Sequence, residues 1–243
     1  MDMYPTDPVE SLRRSSDIEI ARELIAPAGK RILDIGCGEG DLTRALAGDG
    51  AEVTGVDPHE GRIERARAKA AEDGLTVAFE TGIGESLPYP DASFDAAVLS
   101  NSLHHVPEDR MAATVTEAAR VVAPGGLLYA MEPVPSGPYF EVQRVWNDET
   151  ASRVKALEAV AAVEAIGFAP TAEVFYLSAR RCDGCDDYVA RAASRHESRR
   201  DDIARLTPQI AQKFEANATP VDGAYDLDMV FRVNLFRKAE PTG

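Results

Sequence analysis

Three cysteines, one tryptophan and a shortage of basic side chains set the first limits on this chain of 243 residues. Cys182 and Cys185 form a lone C-x-x-C, with neither a second pair nor regularly spaced histidines to complete a zinc set, so two reduced loop thiols and no metal are expected. Acidic side chains outnumber basic ones 41 to 26, a formal net charge of −15, and a nucleic-acid backbone would be repelled. The one basic run, Arg191, Arg195, Arg199, Arg200 and Arg205, is interrupted by Glu197, Asp201 and Asp202, as a solvated helix face would be. No apolar stretch approaches the roughly 18 residues a membrane span needs, and the opening MDMYPTDPVE lacks the basic and apolar blocks of an export leader. A cytoplasmic protein without membrane or nucleic-acid partners is the expectation. The 44% of residues that are hydrophobic can fill one large core, so residues 1–243 are expected to form a single domain.

Residues 31–58 carry the most information. Ile32, Leu33 and Ile35 make a short apolar run of the kind found in parallel strands, Gly36, Gly38 and Gly40 make a turn almost free of side chains, and residues 42–47 begin a helix. A ligand can lie directly on such a backbone. A second strand, residues 52–56, delivers Asp57 seventeen residues after Gly40, where a carboxylate can accept both hydroxyls of a ribose. A dinucleotide site would need G-x-G-x-x-G, and the third glycine of that pattern falls on Asp41, whose charge would oppose a diphosphate at the helix N-terminus. The spacing present is D-x-G-x-G-x-G, from Asp34 to Gly40.

The same alternation continues down the chain, which argues for a mostly parallel sheet covered by helices on both faces. Helices are predicted over 11–26, 60–72, 110–122 and 151–166, and strands over 75–80, 94–100, 127–131, 172–177 and 227–237. Pro124-Gly125-Gly126 reads as a helix stop followed by a turn. Residues 134–150, hinged by prolines and a glycine and carrying Tyr139, Phe140 and Trp146, read as a lid, and the polar helical stretch 183–222 as a cap insertion.

The D-x-G-x-G-x-G turn resembles motif I of the class I S-adenosylmethionine-dependent methyltransferases (methyltransferase type 11/25-like). VAFETGIGESLPYPDASFDAAVLSNSLHHV is similar to the stretch that follows it in that family, and EAARVVAPGGLLYAMEP to the family's turn into the fifth strand. The resemblance implies an α/β fold, a doubly wound Rossmann-like sheet of seven strands with the last one antiparallel, here with a small helical cap. It implies S-adenosyl-L-methionine as cofactor, with Asp34 near the ammonium, the turn of Gly36, Cys37, Gly38 and Gly40 around the methionine moiety, and Asp57 with Pro58 at the ribose. Ser100 and Asn101 would border the sulfur. The family usually has an aspartate for the adenine amino group, and the aligned residue is Ile83; the backbone of Ile83 and Gly84 would meet the adenine edge, with Glu85 as an alternative acceptor.

The expected activity is transfer of a methyl group to an oxygen, nitrogen or sulfur of a small molecule. His104 or His105 could act as base for a hydroxyl acceptor, or the L-H-H segment could only shape its loop. Glu132 is placed at the substrate crevice, Tyr139, Phe140 and Trp146 over the substrate, and Tyr4 near the methionine carboxylate. The fold also admits an S-adenosylmethionine-modifying enzyme resembling carboxy-S-adenosylmethionine synthase, which needs a basic residue near the methyl, or a non-catalytic cofactor-binding module.

Overall fold

The computed structural model describes residues 3–240, so the predicted span 1–243 extends beyond them at both ends. At its centre lies β1 (Arg31–Ile35), flanked by β2 (Glu52–Asp57) and β4 (Phe94–Ser100), both parallel to it. With β3 (Ala78–Thr81), β5 (Val122–Pro133), β6 (Phe168–Cys182) and β8 (Ala224–Lys238) the order is β3-β2-β1-β4-β5-β8-β6. β8 runs antiparallel to both neighbours, so the last strand has the expected direction. An eighth, unpredicted strand, β7 (Thr219–Val221), pairs with β8 through Asp222-Gly223. Both of those residues have positive φ, 49° and 79°, the requirement of a tight two-residue hairpin.

Alternation along the strands separates two apolar layers. Leu33 and Ile35 face α4 (Glu108–Val121) and α6 (Thr150–Ala161), through Met111, Val115, Ala156 and Val160. Ile32 faces the other way, toward Ile20 and Ile25 of α1 (Asp17–Ile25) and Leu46 of α2 (Asp41–Gly48). The third helix of the series, α3 (Glu60–Glu72), lays Ile63, Ala66 and Ala70 on Phe79 of β3.

Several boundaries move from the sequence expectation for identifiable reasons. The leading helix begins at Asp17 and not at Ser11, because Ser16 and Glu19 form a reciprocal capping box there. The preceding segment is extended, exchanging backbone hydrogen bonds with Leu177 at the free edge of β6. The third strand starts at Ala78, three residues late. β5 takes in the whole Pro124-Gly125-Gly126 stretch, since its pairing with β4 tolerates an irregularity between Phe94 and Ala96. β6 is 15 residues long and carries the sheet out to the cap.

That cap is built from α5 (Pro138–Gln143), α7 (Cys185–Arg195) and α8 (Arg200–Asn217). Val142, Trp146, Tyr188, Ile203, Ile210 and Phe214 form its core, together with Cys182 and, partly buried, Cys185. Both thiols are free and burial raises their pKa, so they pack as small apolar groups. Among the described residues, no helix is long and apolar enough to cross a membrane.

Candidate cofactor and acceptor site

The carboxyl ends of β1, β2 and β4 converge, and the loops leaving them enclose two cavities, of about 510 and 350 Å³. Gly36, Cys37, Ser100 and Asn101 line both, so the two are lobes of one crevice. The three motif glycines do different work. A Cβ on Gly36 would meet the Ser102 side chain at 2.5 Å and one on Gly40 the Phe79 ring at 2.7 Å, so these positions are closed by packing. A Cβ on Gly38 would meet nothing within 4 Å; Gly38 turns bare backbone, at φ 57°, toward the crevice.

Asp57 lies in the larger lobe and is 3% exposed. Its Oδ2 accepts from the Gly38 amide at 3.0 Å and its Oδ1 from that of His59 at 2.9 Å, which fixes the carboxylate and ties the end of β2 to the glycine turn. Each oxygen keeps a lone pair for a further donor. Pro58, Ile83, Gly84 and Glu85 line the same lobe. Ile83 is 44% exposed, a large apolar side chain open to a planar ligand. Gly84 is held against Thr114 and Ile35, where a Cβ would come within 2.8 Å of Thr114. The Glu85 carboxylate is paired with Arg110 at 3.0 Å.

Asp34 lies in the smaller lobe and is 1% exposed. Its Oδ2 accepts from the Thr43 hydroxyl at 2.6 Å, while Oδ1 has no partner among the described residues. Burial pushes this carboxyl up to about 6, only partly offset by Thr43. An acid half-satisfied and desolvated in a cavity wall is suited to a cationic ligand group. Across the lobe stands Arg180 of β6, paired with Asp17 at 3.2 Å, while Asp17 also accepts from Tyr176 at 2.9 Å. Asn101, in the left-handed region at φ 54°, is held by its amide to the Met131 carbonyl at 2.7 Å.

Beyond Asn101 the chain makes a single 3-10 turn, Leu103–His105. Glu132 is buried beneath it and both oxygens are spent there: Oε1 accepts from the Leu103 amide at 2.8 Å and Oε2 from His104 Nδ1. An ionised carboxylate can only accept, so His104 Nδ1 is the donor. His104 is itself buried, packed on the His105 ring at 3.9 Å between centroids. His105 lines the larger lobe; the surrounding protein and the neighbouring His104 lower its pKa, so it stays neutral at pH 7.

With that geometry in place, the chain can be compared with known proteins. Residues 32–126 match the family model described as a methyltransferase domain. Residues 32–126 therefore carry a methyltransferase domain. Over 144 residues it is 42% identical to the 27-O-demethylrifamycin SV methyltransferase of Amycolatopsis mediterranei, a match covering 56% of this chain and 52% of that protein. The chain thus spans about half the length of the curated relatives it matches. Among solved structures, a Bacillus halodurans C-125 protein provisionally assigned as a methyltransferase superposes with a TM-score of 0.66 at 24% identity, covering 93% of this chain and all of that one (100%). The [4+2]-cyclase SpnF does so with 0.62 at 23%, covering 92% and 81%. At these identities the structures speak for the fold alone, and SpnF is named for a different reaction.

The family's methyl donor is S-adenosylmethionine, and the crevice fits it. Asp57 offers two fixed acceptors for ribose, Gly38 leaves space against the backbone, and the orphaned Asp34 Oδ1 suits an ammonium.

The sequence-selected residues now divide. Asp34, Gly36, Cys37, Gly38, Asp57, Pro58, Ile83, Gly84, Glu85, Ser100, Asn101 and His105 line the two lobes. Gly40 supports them from beneath, packed on Phe79. Glu132 and His104 lie behind the turn, not in the open crevice. Tyr4 is removed from the methionine end: the extended N-terminal segment carries it to a separate hollow with Glu173 and Phe175. Phe140 is buried beneath the Arg153 guanidinium, 4.9 Å from its ring, and Trp146 sits in the cap core with its Nε1 donating to Tyr188 at 3.2 Å. Tyr139 joins the two regions, packing on both the sheet core and the cap core. The fold also brings His104, His105 and Glu149 together, with potential ligand atoms within 4.8 Å of one another, a grouping the sequence spacing hides. Glu149 there is already committed to Arg153 at 2.7 Å and Gln143 at 2.9 Å.

Sequence reasoning missed Arg180, Asp17 and Thr43. Thr43 could have been found, since it lies nine residues after Asp34 on the first turn of the following helix. Nothing local marks Arg180, which reaches the site only through the pairing of a late strand.

Proposed function

We propose that this chain is an S-adenosylmethionine-dependent methyltransferase that methylates a hydroxyl oxygen of a small molecule. The observation that carries the reading is the two-lobed crevice with Asp57 fixed at one end and the half-satisfied Asp34 at the other. The rifamycin-related name of the relative supports an oxygen acceptor. Bound S-adenosylmethionine supplies a methyl group on a cationic sulfur that a nucleophile can displace. The protein's own part is alignment and the exclusion of competing charge near that sulfur: a carboxylate against it would stabilise the ground state more than the transition state. Glu132 and His104 act as positioning residues that fix the 3-10 turn. His105, neutral and open to the crevice, accepts the hydroxyl proton. The cap of residues 134–150 and 183–222 closes the acceptor side. Arg180, paired with Asp17, lines the methionine end of the crevice, where a cofactor carboxylate would meet it.

The test is mass spectrometry of the ligand retained on purification, followed by incubation with S-adenosylmethionine and a panel of hydroxylated aromatic compounds. Retained S-adenosylmethionine or S-adenosylhomocysteine and a product heavier by one methyl supports the reading. A carboxylated cofactor would replace it with the alternative, and a retained nicotinamide dinucleotide would overturn both.

A further inference from the structure

A third cavity, of about 190 Å³, lies between the end of β6, α5 and α7. Arg180 lines both it and the methionine lobe, so the two cavities share a wall. Its walls combine two features. Tyr139, Trp146 and Tyr188 supply aromatic lining. Arg180, Arg181, Arg191 and Arg195 supply the charge, and among the described residues no acidic side chain lines it. In a chain with 41 acids and 26 bases, a cavity wall with four arginines and no acid is a local reversal of charge.

Three of the four arginines are engaged by neighbours: Arg180 by Asp17 at 3.2 Å, Arg191 by Asp187 at 2.7 Å, and Arg181 by the Val221 carbonyl at 2.6 Å. Among the described residues no hydrogen bond or ion pair occupies the Arg195 guanidinium. Its charge acts on the half-buried Tyr139 phenol, partly offsetting the rise that burial causes, as does that of Arg180.

We infer that this cavity is the acceptor subsite and that it takes a planar aromatic acid, with the ring between Tyr139 and Trp146 and the carboxylate on Arg195. The size agrees: a cavity of about 150 Å³ already holds benzene, so this one suits a single substituted ring and not a polycyclic one. The charge agrees too, since a guanidinium fork matches a carboxylate in two hydrogen bonds, and an acid left unpaired beside it would lose most of the gain from binding. This inference rests on the methyltransferase reading but is tested separately from it.

The experiment is calorimetric titration of 4-hydroxybenzoate and of its uncharged amide, 4-hydroxybenzamide, into protein saturated with S-adenosylhomocysteine. The wild-type chain should prefer the acid by at least about tenfold, the Arg195→Gln chain by less than about threefold, and the Arg195→Lys chain should recover part of the preference. Arg195 is exposed, so melting temperatures of the variants should match the wild type, and S-adenosylhomocysteine should bind all three alike. Equal binding of acid and amide, no binding of either, or a preference unchanged in Arg195→Gln overturns the inference. Failure of S-adenosylhomocysteine to bind the wild type overturns the cofactor reading instead.

Discussion

The two halves of the site are made in opposite ways. The cofactor half, around Gly38 and Asp57, is backbone geometry: a turn with no side chain in the way and a carboxylate pinned by two amides. The proposed acceptor half is side-chain packing, in which Trp146, Tyr188, Ile210 and Phe214 form one core with α5, α7 and α8. A backbone site tolerates little change in the few residues that shape it, yet those residues add little to stability. A packed cap behaves in the reverse manner. Mutations should therefore separate binding from stability in opposite directions on the two sides.

The largest effect expected is on stability, in the cap. Trp146 is 4% exposed, so Trp146→Ala should cost about 3–5 kcal/mol in urea unfolding while leaving the S-adenosylhomocysteine Kd within about threefold. A variant that melts normally but loses acceptor binding would make Trp146 a lid residue and undo the contrast. Next is Gly38→Val. The β-branched side chain enters the crevice and sits at positive φ, so strain of about 1–3 kcal/mol and a loss of cofactor binding beyond about a hundredfold are expected. A persistent thermal shift with S-adenosylhomocysteine would show that the ligand does not approach this backbone.

A smaller effect tests the charge at the methionine end. Because burial raises Asp34 from an ordinary 3.8 to about 6, the folded chain without ligand holds this proton more tightly than the unfolded chain does. The ionised form thus costs the free protein stability at neutral pH, and the cost is relieved as pH falls through about 6. Binding an ammonium requires the ionised form, so S-adenosylhomocysteine affinity should fall about tenfold between pH 7 and pH 5, as the ionised fraction does. Asp34→Asn should bind more weakly and with a flat profile over that range. A wild-type profile already flat would mean that Asp34 does not meet the ligand cation.

The same contrast explains what could be read before the structure. Gly38, Asp57 and the order of elements around them are legible because a strand, its turn and the next strand-end lie within 28 residues, and local rules suffice. Ile83 exposed in the larger lobe and Asn101 at the shared wall follow from the same register of parallel strands. Tyr4 and Arg180 are not legible because their places depend on which element covers the far edge of the sheet. The N-terminal segment runs along β6 beside Leu177, which takes Tyr4 away and leaves Asp17 to hold Arg180 at the crevice. The aromatics of 134–150 mark a site by composition, yet Phe140 and Trp146 found partners in Arg153 and Tyr188 that lie 13 and 42 residues on, contacts no periodicity encodes. Glu132 was placed at the right strand end, but only the fold shows that the Leu103 amide and His104 take both of its oxygens.

The most direct test of the central claim is calorimetric titration of S-adenosylhomocysteine into wild-type and Asp57→Ala protein at neutral pH. The structure predicts one saturable site in the wild type and a Kd about tenfold to a hundredfold weaker in the variant, whose ribose loses a charged acceptor in a shielded crevice. Affinity unchanged in a folded Asp57→Ala variant would contradict it.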